Sequence, residues 1–252
     1  MRILSIDSSL GTQLAVVDAA PSAAGARALQ VLSQDEQADT RRHAESLGQM
    51  LSQALSAPEV AERPLDAVVA ATGPAPFTGL RAGLVTAGVV GRTRGVPVHG
   101  VSSLDAVARR ALDELGAHEG REDPVVLVAT DARRREVYTA LFRANGPDDV
   151  NRLTEIIVCP PAQVAQRLAE QAPGPGGGSG GIDVVAGSGA SLYPELVEMA
   201  SCQKALAPVS GDALTQVRIA LARLERGEEL STQPLYLRHA DVQMPAARKR
   251  VR

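Results

Sequence analysis

The chain has 252 residues, 44% of them hydrophobic, enough for one large or two small domains with a substantial core. A net charge of −3 excludes a global electrostatic drive towards nucleic acid or anionic membrane. Few apolar residues precede Asp7, no apolar run reaches the length of a membrane span, and Cys159 and Cys202 lack CxxC spacing, so we expect a cytoplasmic protein with no membrane association.

In chain order, RILSID and TQLAVVDA flank a Leu10-Gly11 turn and predict a β-hairpin, with ALQVLSQ as a third strand. HAESLGQMLSQALSA repeats Leu47, Met50, Leu51, Ala54 and Leu55 at helical spacing. LDAVVAATG reads as a buried strand. GPAPFTGLRAG, residues 73–83, then opens a smooth helix of small residues, with Thr78 as N-cap, Gly79 as first residue and an end near Gly95. VPVHGVSS is a strand and LDAVARRALDELG a helix. The pattern restarts with a second hairpin, PVVLVATDA and EVYTALFRA around three arginines. RLTEIIVCP follows as one strand and PAQVAQRLAEQA as a helix, before the low-complexity linker 173–181. IDVVAGSGA is a strand, SLYPELVEMA a helix, and GDALTQVRIALARLERG a long amphipathic helix.

Each half thus reads as a βββαβα unit. Hairpins combined with βα crossovers give mixed sheets covered by helices. The expected fold is α/β, the two-lobed actin/sugar-kinase/Hsp70-like architecture, each lobe a mixed sheet flanked by helices. Residues 1–104 form the N-terminal lobe and 105–210 the C-terminal lobe, 211–230 a helix returning to the N-terminal lobe, and 231–252 a tail. Its basic end, ARKRVR, is expected to be a solvated, disordered segment, with a tRNA contact as the other reading.

In kinase-like members of this fold the first hairpin approaches ATP phosphates. Asp7, Ser8, Ser9, Gly11 and Thr12 occupy that place, and such a turn can bind an anion through its N–H groups. The bland alternative is that Asp7 caps a tight turn. The matching loop of the second lobe, TDARRREVY, has no glycine, and bulky side chains there bar close approach to a phosphate. The result is half a nucleotide site, so the first turn is read as a vestigial phosphate loop. The stretch 73–83 has no lysine and is not a P-loop.

The helix after it carries Gly79, Ala82, Gly83, Thr86, Ala87 and Val90 on one broad face, where another helix could approach closely. Packing on the protein's own sheet accounts for half of these. Leu80, Leu84, Val85 and Val89 make a second apolar surface. We therefore expect a partner-docking face made of Leu47, Met50, Leu51, Ala82, Gly83, Thr86, Ala87 and Val90. His43, His99, His118 and His239 are scattered, and GGSGG around Ser179 lies in the glycine linker, so neither a zinc site nor a nucleophile elbow is read. No catalytic residue, metal ligand or cofactor is predicted.

Across nearly the whole chain, ILSIDSS, GPAPFTGLRAG, GVSSLDAVA, DARRREVY and PLYLR occur in an order and spacing that resemble the TsaB (YeaZ-like) family. The resemblance implies a non-catalytic scaffold in the N6-threonylcarbamoylation of adenosine 37 in tRNAs reading ANN codons. It implies dimerisation with a catalytic paralogue, TsaD, through N-lobe helices, a TsaE-like ATPase recruited to the pair, and tRNA bound through the complex, with a homodimer open to the isolated chain. Two departures stand out. Arg135 replaces a usual glycine, which implies an altered hairpin turn, and Ala75-Pro76 replace Gly-Ser, which stiffens the loop. The competing readings are a small-molecule kinase of the same fold and, behind it, a glycoprotease-like hydrolase.

Overall fold

In a computed structural model, described for residues 1–20, 26–38, 43–116, 123–171, 181–201, 205–206 and 212–237, the chain builds two mixed sheets. The basic tail, nearly all of the glycine linker and Cys202 lie outside the described residues.

The first sheet has the order β3-β2-β1-β4-β5, from β1 (Arg2–Asp7), β2 (Thr12–Ala19), β3 (Leu29–Gln37), β4 (Ala67–Ala71) and β5 (Val98–Val101). The hairpin strands are antiparallel, with Asp7 opposite Gln13, and β4 and β5 run parallel to β1. The second sheet has the order β11-β10-β6-β7-β8, from β6 (Val126–Asp131), β7 (Val137–Asn145), β8 (Asp149–Arg152), β10 (Val184–Ala186) and β11 (Ala205–Leu206). β9 (Ile157–Cys159) also pairs with β7. The two sheets repeat one strand order, the two-lobed actin/sugar-kinase-like arrangement expected from the sequence.

The period-2 alternation of β1 decides what covers each face. Leu4 and Ile6 point to α1 (His43–Ser56), the short α2 (Pro58–Ala61) and α3 (Phe77–Arg94), sharing a core with Leu47, Met50, Ala87 and Val90. Ile3 points the other way, to α8 (Ala213–Glu225), against Val217 and Ala220. In the second lobe Val126 and Val128 pack on α4 (Ser103–Gly116). Leu127 and Ala129 meet α5 (Val164–Gln171), α6 (Ser188–Leu192) and α7 (Pro194–Val197). The two lobes therefore exchange helices. α4 follows the first sheet and covers the second, and α8 follows the second and covers the first.

Four details differ from the sequence reading. α3 begins at Phe77, with Pro76 at the cap position and no side-chain cap, so Thr78 lies inside the helix. Prolines at 74 and 76 fix the approach instead. The run 152–160 is two strands rather than one, because the Thr154 hydroxyl accepts the Leu141 N–H at 3.0 Å and interrupts the ladder. SLYPELVEMA breaks into α6 and α7 at Pro194, which has no N–H to continue the first helix. Each half also carries one more strand–helix pair than the βββαβα unit, counting β5–α4 and β11–α8.

Candidate functional site

The β1–β2 turn faces the seam between the lobes. Asp7 is buried; its Oδ1 accepts from the Ser9 N–H at 2.8 Å and the Ser9 hydroxyl at 2.6 Å, and its Oδ2 from Gln216 Nε2 of α8 at 2.8 Å. Burial pushes the Asp7 carboxyl up from its ordinary value, against the hydrogen bonds from Ser9 and Gln216. Ser8 donates to the Gly79 carbonyl at 2.8 Å, and Ser9 and Thr12 are also buried. Of the five residues of the predicted phosphate loop, the carboxylate and Ser8 are thus spent on holding α8 and α3. Facing them, Asp131 and Ser188 close the seam together with Pro74, Ala75 and Pro76. Among the described residues, the cavity they line together is about 20 Å³, the size of one water and far short of a nucleotide.

The second-lobe turn is held by the Ala132 N–H to Glu136 carbonyl bond at 2.9 Å. Within it Arg133, Arg134 and Arg135 all have left-handed backbones, at φ 64°, 54° and 60°. Each costs about 1 kcal/mol relative to glycine. Asp131 supports the turn, accepting the Arg133 N–H at 2.8 Å and pairing with its guanidinium at 3.3 Å. The turn thus keeps a left-handed path with arginine where glycine would relax it.

A buried charge network ties the lobes together. Asp105 of α4 accepts from Arg152 at 2.7 Å and from Arg223 of α8 at 2.9 Å. Asp149 accepts from Arg223 at 3.0 Å and from Arg226. Asp148 accepts from Arg218 at 2.8 Å and from the Arg27 backbone N–H at 3.0 Å. All three carboxylates are buried. Burial works to lower the Arg223 pKa, but Asp105 and Asp149 outweigh it and leave it raised. These charges carry little local signal in the sequence. Their only signal was the Asp148-Asp149 pair at a hairpin end, followed later by arginines at helical spacing in α8.

The residues expected to form the partner-docking face divide between core and surface. Gly83, Ala87 and Val90 point inward, as do Leu47 and Met50, and all five are buried in the first lobe's own core. A Cβ at Gly83 would collide with Ser8 Oγ, so the small residues serve the approach of α3 to β1. Leu51, Ala82 and Thr86 are half-buried at the α1–α3 junction. The outward stripe of α3 instead runs through Phe77, Arg81, Val85, Val89 and Arg92, with Val85 61% and Val89 56% exposed. A groove of about 420 Å³ lies beside it, lined by Leu47, Gly48, Thr78, Arg81, Ala82, Val85 and Thr86, so that Leu47, Ala82 and Thr86 of the expected face border it. At the top of the stripe Tyr236 packs on Phe77 with ring centroids 5.0 Å apart, and the Arg81 guanidinium lies over Phe77. Tyr236 arrives on a C-terminal strap that donates from the Leu235 N–H to the Thr72 carbonyl. The strap crosses β5 where Gly100 leaves room for the Ser231 carbonyl. Among the described residues, no group of three His, Cys, Asp or Glu side chains is placed to hold a metal ion, and no helix is long and apolar enough to cross a membrane.

Comparison with known proteins places this arrangement. The family model of TsaD, tRNA N6-adenosine threonylcarbamoyltransferase, matches residues 30–214. An uncharacterised protein of Mycobacterium tuberculosis is 40% identical over 141 residues, 54% of this chain and 61% of the relative. A Mycobacterium leprae protein is 40% identical over 140 residues, 56% of this chain, but the match spans only 36% of that relative. The tRNA threonylcarbamoyladenosine biosynthesis protein TsaB of Bacillus subtilis is 34% identical over 86 residues, 34% of each chain. Among solved structures, a Pseudomonas aeruginosa protein described as similar to peptidase YEAZ superposes with a TM-score of 0.69 at 25% identity, covering 94% of this chain and 99% of that one.

Proposed function

The chain belongs to the TsaD family, and from that premise we infer that it is a non-catalytic, TsaB-like scaffold. In this reading it dimerises with a catalytic TsaD-like paralogue for N6-threonylcarbamoylation of adenosine 37 in tRNAs reading ANN codons. The observation that carries the reading is the filled seam. Asp7 is engaged by Ser9 and Gln216, and about 20 Å³ remains where a kinase of this fold would hold its nucleotide. The buried Arg–Asp network supports it further, since lobes joined by Asp105, Asp148 and Asp149 do not open and close around a substrate without breaking buried ion pairs.

What remains for such a subunit is to present surface. The Val85–Val89–Arg92 part of the outward stripe of α3 and the groove beside it are where the catalytic paralogue docks, which leaves the Phe77–Tyr236 end uncovered. The TsaE-like ATPase and tRNA engage the assembled complex in the cytoplasm, and the isolated chain covers the stripe by forming a homodimer. The test is reconstitution with the TsaD-like paralogue, the TsaE-like ATPase and unmodified tRNA, reading modified adenosine and ATP turnover. Modification should require this chain, while the chain alone turns over no ATP. Robust turnover by the chain alone, lost in Asp7→Ala, would turn the conclusion to a kinase.

A further inference from the structure

We propose that the left-handed arginine turn, together with the Tyr236–Phe77 pair across the seam, is a contact site for RNA: arginines on the sugar-phosphate backbone and the exposed rings under an unstacked base. The inference rests on the reading of the chain as a subunit of a tRNA-modifying complex and adds to it a surface of this chain that touches the tRNA.

Three observations converge. First, strained backbone persists where the surroundings impose it and function uses it. Arg133, Arg134 and Arg135 hold φ values of 54–64° and all three are exposed, so the strain serves no core packing of their side chains. Three successive guanidinium groups outnumber the two carboxylates of the turn, Asp131, which pairs with Arg133 at 3.3 Å, and Glu136, so the turn is net positive on a chain of net charge −3. Arginine's planar fork matches phosphate oxygens. Second, the chain has only five aromatic residues, and two of them, Phe77 and Tyr236, pack at a tilt on the surface at 45% and 44% exposure. Exposed rings beside arginine are the chemistry that receives unpaired bases. Arg81 already lies over the Phe77 face, leaving Tyr236 as the open platform. Third, the segments that carry the two features meet at the seam. Asp131, two residues before the turn, and Pro76, next to Phe77, line the same small cavity of the closed seam. The ionic ties between the lobes hold them in fixed relation.

An acidic protein segment would satisfy the arginines but leave the ring platform unexplained, and so RNA is the better occupant. The experiment measures binding of a fluorescent, unmodified tRNA reading an ANN codon to the complex of this chain with its TsaD-like paralogue. Binding is followed by anisotropy across a salt series, with sedimentation confirming assembly of every variant. Replacing Arg133, Arg134 and Arg135 by glycine should weaken binding about tenfold and flatten the slope of log K against log salt by about 2. Melting of that variant should be unchanged or higher, since glycine accepts the left-handed backbone. Lysine at the three positions should restore the salt slope. Tyr236→Ala should weaken binding about tenfold and Tyr236→Phe should not. An assembled glycine variant with unchanged affinity and salt slope would overturn the proposal and leave the scaffold reading standing. Loss of assembly in that variant would also overturn it, assigning the turn to a protein contact. A wild-type complex that assembles but binds no tRNA would sink the proposal together with the function on which it rests.

Discussion

An arginine on the outward stripe of α3 separates the surface that docks from the surface that packs. Val85 is 61% exposed and Val89 56% exposed, so Val85→Arg or Val89→Arg should change the stability of the chain by no more than about 0.5 kcal/mol. A partner covering Val85 would bury about three-fifths of a valine side chain, worth about 1–2 kcal/mol. Stranding a guanidinium in that apolar contact adds about 2 kcal/mol or more. The combined loss, about 3–4 kcal/mol, corresponds to a two- to three-decade fall in affinity for the TsaD-like paralogue. Ala87→Arg is the internal contrast. Ala87 is fully buried, and an arginine there would have to enter the core between α3 and the sheet, so the chain should fail to fold rather than merely fail to dock. Sedimentation of each variant alone and with the paralogue reads assembly, and circular dichroism melting reads folding. The reasoning is refuted if the double variant Val85→Arg/Val89→Arg keeps native affinity, or if Ala87→Arg melts like wild type while losing its partner.

Asp7→Asn should raise the melting midpoint at pH 7 by about 2–4 °C, because burial penalises ionisation of the carboxyl that the neutral amide replaces. Because burial raises the folded-state value of Asp7, the wild type loses stability as pH rises from its unfolded value towards that raised one. The advantage of the Asn variant should therefore grow over that window and then level off; an advantage that shrinks as pH rises would contradict the assignment. Asp149→Ala leaves Arg223 and Arg226 without their shared carboxylate and should cost about 3 kcal/mol in chemical denaturation, and a loss below 1 kcal/mol would mean that the network is not what ties the lobes. Gly83→Ala should destabilise by about 1–3 kcal/mol through its clash with Ser8 Oγ, and Ser8→Gly in the same chain should recover much of it; additive losses would place the clash elsewhere.

The hairpins and the repeated succession of elements were legible because β1, β2, β6 and β7 carry their own apolar runs and turns. The orientation of α3 was not, because the helix is apolar nearly all round and its small residues suit either side. What turns Gly83 and Ala87 inward is a fit to Ile6 and Ser8, over seventy residues away, which no local pattern encodes. A signal was nonetheless present. Arg81 and Arg92 are eleven residues apart, three helical turns, and so mark one stripe as the wet side, with Val85 between them. The seam network was hidden for a similar reason. Asp105, Asp148 and Asp149 look like ordinary surface carboxylates until the lobes bring α8 across them. Arg135 in place of glycine is legible in the sequence, but that its two neighbours share its left-handed backbone follows from the hairpin closure, not from residue preference.

The exchange of helices between the lobes also orders events at the ribosome. The first sheet is complete in strands once β5 has been made, yet the side carrying Ile3, Ala15, Val17 and Val69 lacks its main cover until α8, more than a hundred residues later. Until then an emerging chain holds a half-dressed sheet whose bare side is apolar, the kind of transient surface on which nascent chains stick to one another or recruit chaperones. The strap that follows α8 and lays Tyr236 on Phe77 comes later still. The N-terminal lobe is therefore begun first and finished last, and a nascent chain stalled anywhere between the two sheets has built the strands of a lobe without building a lobe.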